Sequence, residues 1–281
     1  MPLTARRHIR KMRGGAQSHL LEADDGHYYV VKFLNNPQHR RILANELIAS
    51  VLLKHLQISV PESAMIRITS DFLEANPEVH IRLGSRQIPV ESGWHFGSRY
   101  PGDPARLVVY DFVPDSLLAE VKNLADFLGI LVFDKWVSNA DGRQSIFFRA
   151  RVQDWAPGVG LLPPKPGFVT WMIDHGFAFN GPHWDFPDMP VQGLYARKLV
   201  YRSVESLDDF QPWLDLVRYI PEELLDQAYR QVPPEWLEGD EEMLERLLAE
   251  LLSRRKRVPD LIRACRRAQP DPFPNWRGSR A

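Results

Sequence analysis

The stretch WVSNADGRQSIFF, residues 136–148, sets a small polar knot between two apolar runs. Asp141 supplies a carboxylate able to orient a substrate hydroxyl or accept its proton, the first requirement of a phosphoryl-transfer loop. The second requirement is an oxygen a few residues on that helps hold Mg²⁺, and both Gln144 and Ser145 offer one. Asn139 completes the candidate catalytic group, stiffening the turn through side-chain-to-backbone hydrogen bonds. The plain alternative is an Asn-Ala-Asp-Gly turn joining a helix to a strand.

Three other stretches carry complementary chemistry. In VTWMIDHGFAF an apolar strand runs straight into Asp174-His175-Gly176, which places a carboxylate at a strand end, where hard cations find oxygen ligands. Lys32 stands inside the strand-forming run YYVVKF. An ammonium there needs a partner or an escape to solvent, and Glu46 in LANELI on the following helix is a candidate partner. Gly14-Gly15-Ala16-Gln17-Ser18 lies between two strand candidates, and its glycines would let backbone N–H groups approach phosphate oxygens. It is neither a Walker A loop nor a dinucleotide fingerprint. A hairpin turn, a strand-edge cation, an exposed helix acid and a strand-terminating turn are the bland readings of these features. Their order is more telling: glycine loop, Lys on a strand, Glu on a helix, Asp loop after a helix, Asp-x-Gly after a strand. That is the ordered parts list of the protein-kinase fold.

Composition sets the outer bounds. The 281 residues are 44% hydrophobic and 25% charged with a formal net charge of -1, which suits one large domain or two lobes and gives no general nucleic-acid binder. Cys265 has no second cysteine to pair with, and no apolar run is long enough to span a membrane, so a cytoplasmic protein with no membrane contact is expected. The basic start MPLTARRHIRKMRGG has no apolar stretch behind it and does not read as a secretory signal.

The elements that must position these residues follow from periodicity. Ala5–Arg13, His19–Ala23 and His27–Phe33 read as strands, the last two joined by the hairpin signal Asp24-Asp25-Gly26. His39–Leu56 has helical spacing, Ala64–Thr69 returns to strand, and Leu107–Val113 is expected to be a buried strand. Beyond Pro114, a long buried helix is expected over Leu117–Val137, then short strands at Ile146–Arg149 and Phe168–Ile173 around a Pro/Gly-rich insertion at Trp155–Gly167. A last helix opens on Gly239-Asp240-Glu241-Glu242 and closes on Arg254-Arg255-Lys256-Arg257, read as a solvated end favoured by the helix dipole. Phe177, Phe179, Trp184 and Phe186 read as packing for the segment after the Asp motif. The expected class is α+β: a bilobal protein-kinase-like fold with a β-rich N-lobe (1–113) and a mainly helical C-lobe (114–281).

With those residues in place, the chain resembles the HipA-like kinases. GGAQSHLL is similar to the family's phosphate loop, YYVVKF…NPQ…NELIA to its Lys strand and Glu helix, FDKWVSNADGRQ to its catalytic segment and IDHG to its metal-binding motif. The resemblance implies ATP and Mg²⁺ between two lobes and transfer of the γ-phosphoryl group to a Ser or Thr hydroxyl of a protein. It implies that Gly14–Ser18 and Lys32 hold phosphates, Glu46 positions Lys32, Asp141 serves the hydroxyl, and Asp174 holds metal. Adenine is then expected against the linker near Tyr110, Asp111, Phe112 and Val113. This chain departs from the family pattern twice: Gly142 follows the Asp, with Arg143 one place later, and Ile146 stands where a metal-binding Asn is expected. The departures keep two rivals open, a nucleotide-binding pseudokinase and a kinase of a small molecule or lipid head group. Phosphorylation of Ser18 is a further expectation, since phosphate there would repel ATP.

Overall fold

The computed structural model describes residues 2–151, 166–268 and 270–277. The N-terminal part is built on strands β1 (Leu3–Lys11), β2 (His19–Ala23) and β3 (Tyr28–Lys32), helix α1 (Arg41–His55), strand β4 (Ser63–Ile68), the short helix α2 (Ser70–Ala75), a hairpin of β5 (His80–Leu83) and β6 (Arg86–Pro89), and strand β7 (Gly93–Arg99). Five of the strands close into a barrel in the order β1-β2-β3-β7-β4. A parallel contact, Leu3 with Ile66 and Thr4 with Arg67, completes the ring. Aromatic and β-branched residues make β3 a strand, and the turn before it forms because Gly26 takes φ +76° while its N–H bonds to Ala23. The barrel interior is filled by Leu21, Val31, Phe33, Ile66 and Ile68.

Helix α1 is buried at every position from Ile42 to Ala49, as a helix sandwiched between two layers must be. One side meets β7; the other packs on helices of the C-terminal part. Those helices are α3 (Asp115–Leu118), α4 (Asp126–Trp136), α5 (Trp213–Arg218), α6 (Glu222–Gln231), α7 (Pro234–Leu237), α8 (Glu241–Arg254) and α9 (Val258–Arg266). Between α4 and α5 stands a two-stranded antiparallel sheet, β8 (Gln144–Arg151) with β9 (Pro166–Ile173). The architecture is α+β, with strands concentrated towards the N-terminus and helices towards the C-terminus. Among the described residues no helix is long and apolar enough to cross a membrane.

Three expectations need correction. Leu107–Val113 is no buried strand: it makes a single bridge, Tyr110 to Phe147, and leaves Val108, Tyr110 and Phe112 exposed. Leu117–Val137 is not one helix. Asn123 pairs through its side chain with the backbone of Thr170, accepting its N–H at 2.9 Å and donating to its carbonyl at 2.8 Å, and this draws the chain out between α3 and α4. The basic run is not wholly solvated. Arg254 is buried and donates to the carbonyls of Trp136 (3.0 Å) and Lys135 (3.4 Å), satisfying the C-terminal end of α4. The insertion expected at Trp155–Gly167 lies outside the described residues except for Pro166 and Gly167, which open β9.

Candidate active site

Lys32, at the end of β3, is buried and lies between two carboxylates. Its Nζ donates to Glu46 Oε1 and, at 2.7 Å, to Asp174 Oδ1. The three residues come from a strand, a helix and the turn after β9. Burial alone would lower the lysine's pKa, but Glu46 and Asp174 more than offset it and hold the ammonium above its ordinary value. Burial raises Glu46. It would also raise Asp174, yet the Lys32 charge holds that carboxyl below its usual range. Asp174 sits at φ +59°, a left-handed conformation tolerated better by Asp than by most residues. That twist turns the chain away directly after the strand.

What holds Glu46 in place is the fastening of α1 to the segment after Asp174. Glu46 Oε1 accepts the backbone N–H of His175 at 3.0 Å. One residue earlier, Asn45 Nδ2 donates to the carbonyls of Gly176 (2.7 Å), Ala178 (3.0 Å) and Gly181 (3.0 Å), while its Oδ1 accepts from Trp184 Nε1 (2.8 Å). Arg41, at the start of α1, makes two 2.7 Å bonds to Asp240, donates to the Pro182 carbonyl at 2.7 Å and stacks 4.5 Å over Trp184. Gly176 is required by space: a Cβ there would lie 2.5 Å from Ile42 Cγ2.

The loop after α4 rests on a buried ion pair. Arg143 donates to both carboxylate oxygens of Asp134, and Asn139 Nδ2 donates to Asp134 Oδ1 at 3.0 Å. Burial pushes Asp134 upward and would push Arg143 downward, but Asp134 keeps Arg143 above its ordinary value. Arg143 also donates to the Ile173 carbonyl at 2.8 Å and approaches His175 Nδ1 at 3.2 Å, so His175 presents an acceptor there. Its ring is buried, and its pKa is held well below the ordinary value by burial and by Arg143. Asp141 is exposed at the tip; its Oδ1 accepts the Gly142 N–H at 2.7 Å, and Gln144 Nε2 is 3.4 Å from its other oxygen.

Several residues named from sequence have other work. Asn139 is buried, with its Oδ1 taking the Asp141 N–H and its Nδ2 on Asp134, so it braces the loop from inside. Gln144 is exposed and pairs with Ile173 across the sheet, beside Asp174; Ser145 is buried, on the opposite side by strand alternation. The Ser145 hydroxyl has no hydrogen-bond partner among the described residues. Asp174, with its side chain 33% exposed, Asp141 and Gln144 each offer oxygen, the ligand type that a hard divalent cation takes. In the glycine loop, Gly14 takes φ +119°, while Ala16 and Ser18 are buried. Gln17 is tied to the tip of the β5–β6 hairpin, accepting the Arg82 N–H (2.8 Å) and donating to its carbonyl (2.6 Å), so its amide is not free for a phosphate. Ser18 is buried, so phosphorylation there would require this loop to open. In the linker, Asp111 and Phe112 are exposed, Val113 is buried, and Arg197 stacks 4.6 Å over Phe112.

Residues 6–259 match the profile of the HipA-like kinase family. The chain belongs to that family. No curated protein matches it. Among solved structures, the Golgi casein kinase with Mn/ADP bound aligns at 12% identity and a TM-score of 0.49, covering 95% of this chain and 74% of that one. Hydra Fam20 with sugar aligns at 14% and 0.49, covering 95% and 86%, and the Helicobacter pylori proinflammatory kinase CtkA at 13% and 0.49, covering 95% and 97%. In this HipA-like kinase the two departures from the expected motif have physical counterparts. Arg143, one place late, is the partner of Asp134, and Ile146 is buried with Phe148, Val169 and Trp171. Sequence reading missed Asp134, Asn45 and Arg41. A buried acid in an apolar helix (LVFDKW) and an Asn beside Glu46 were the available signals.

Proposed function

We propose that this HipA-like kinase transfers the γ-phosphoryl group of ATP to a Ser or Thr hydroxyl of a protein, with Mg²⁺ as the working cation. The observation that carries the reading is Lys32 bonded at once to Glu46 and Asp174, which gathers the phosphate-holding cation and a cation-binding carboxylate at one point. Lys32 would hold phosphate oxygens, kept in place by Glu46. Asp141, at an exposed loop tip, would accept the hydroxyl proton as the acceptor oxygen bonds to phosphorus and the bond to the bridging oxygen of ADP breaks. A divalent cation held by Asp174 and Gln144 would neutralise charge on the phosphates. Asp141→Asn is expected to lower ATP turnover about 100-fold or more while leaving nucleotide affinity intact. Unchanged turnover in that variant would remove Asp141 from its assigned role.

A second reading, a nucleotide-binding pseudokinase, is favoured by one observation: the position expected to hold a metal-binding Asn is the buried Ile146. Calorimetry with a non-hydrolysable ATP analogue and Mg²⁺, beside an assay of [γ-³²P]ATP turnover, separates the two. Binding with no turnover by the unaltered chain would favour the pseudokinase.

A further inference from the structure

The Gln17 side chain cannot serve phosphates without releasing the hairpin, but a second glutamine stands against the same loop. Gln38 lies in the connection between β3 and α1, six residues after Lys32 and eight before Glu46. Its side chain stands against Gly15: a Cβ on Gly15 would be 2.9 Å from Gln38 Nε2 and 3.6 Å from its Cδ. Gly15 has no positive φ, unlike Gly14, and the absence of a side chain there leaves the space that this amide occupies.

The connection is built to hold Gln38 at that point. Pro37 fixes the backbone just before it, and the Gln38 N–H donates to Asn36 Oδ1 at 2.9 Å. Asn36 is buried, and its Nδ2 has no hydrogen-bond partner among the described residues. The side-chain amide of Gln38 likewise makes no hydrogen bond among the described residues. An amide without a partner, standing against a loop that offers backbone N–H groups, suits a ligand that only accepts hydrogen bonds. A phosphate tail is such a ligand.

We propose that Gln38 is a phosphate-binding residue, donating from Nε2 to the nucleotide's phosphate tail and closing the glycine loop from the α1 side. Gln17 is then a positioning residue that moors the loop to Arg82. The inference rests on the phosphotransferase reading and adds a ligand-contacting residue to it.

The test is calorimetry of the full chain with Mg²⁺, using a non-hydrolysable ATP analogue and adenosine as separate probes. Gln38→Ala is expected to weaken the ATP analogue about tenfold, the scale of one hydrogen bond to a charged group, and to leave adenosine unchanged. Gln38→Glu, which sets a carboxylate against the phosphates, should weaken the analogue further. Melting curves matching the unaltered chain show that both variants fold. An unchanged affinity for the analogue in Gln38→Ala overturns the proposal, and so does an equal loss for adenosine, which would mark a packing role. If the unaltered chain binds no nucleotide at all, the phosphotransferase reading falls and takes this inference with it. If it binds nucleotide and Gln38→Ala binds the analogue equally well, the inference alone falls.

Discussion

Arg143 grips Asp134 with two guanidinium nitrogens and the Ile173 carbonyl with a third, so one buried side chain joins the loop of Asp141 to the turn of Asp174. Both partners are almost fully buried. Removing one leaves the other charge uncompensated, so Arg143→Leu or Asp134→Leu should each lower stability by about 3–5 kcal/mol in urea denaturation. The double replacement should cost much less than the sum. Additive losses would show that the two side chains act independently.

Loosening α1 should disturb the site without touching it. Asn45→Ala removes the donor shared by three carbonyls and strands the Trp184 N–H, all in buried surroundings. The expected loss is roughly 1–3 kcal/mol of stability, with a fall in ATP turnover larger than any change in nucleotide affinity. Parallel denaturation and kinetic measurements check both parts.

Gly176→Ala tests the closeness of the turn to α1. Ile42 Cγ2 would be 2.5 Å from the new Cβ, with Lys32 Nζ and Glu46 Oε1 each 3.5 Å away. Ile42 has no free space, so α1 must shift, and a stability loss of about 1–3 kcal/mol is expected. The companion change Ile42→Ala should cost less stability in the Gly176→Ala chain than in the unaltered one, because it removes the methyl that the new Cβ strikes.

Lys32→Met leaves Glu46 and Asp174 facing each other without their shared cation. Affinity for a non-hydrolysable ATP analogue should fall, and Glu46, already raised by burial, should hold a proton to higher pH once the Lys32 charge is gone and Asp174 remains. Carboxyl infrared bands with and without Glu46→Gln would report that proton.

Acid sensitivity should arise inside the barrel. Burial lowers His19 and His95 from 6.5 to about 4, with His8 adding to the effect at His19. The unfolded chain takes up these protons near pH 6.5 and the folded one only near pH 4, so stability is full above that window and is lost as pH falls through it. His95 Nδ1 accepts the Leu34 N–H at 2.9 Å. His95→Asn, which retains an acceptor but does not titrate, should flatten the dependence of Tm on pH between 6.5 and 4.

The portion of this design legible in sequence is the portion set by local chemistry. Lys32 stood out because a cation interrupts a strand-forming run, Asp174 because a carboxylate ends one, and α1 because its apolar spacing is helical. Contacts distant in sequence were harder to see. Leu107–Val113 has the apolar content of a strand, yet only Tyr110 bridges to β8, although that strand pairs with β9 on one edge alone. Leu117–Val137 has unbroken helical periodicity, and its break depends on Asn123 meeting Thr170, 47 residues away. The glycine loop shows the same limit: Gln17 lies within the motif, but its amide answers to Arg82, 65 residues on. Arg254 looked like one more solvated base because nothing near it in sequence announces the carbonyls of Lys135 and Trp136.

The triple hold on α1 at Arg41, Asn45 and Glu46 shapes how this protein can be governed. A helix gripped at three successive points makes a poor lever for signals from elsewhere on the molecule. Any control that worked by swinging this helix would have to undo all three fastenings together.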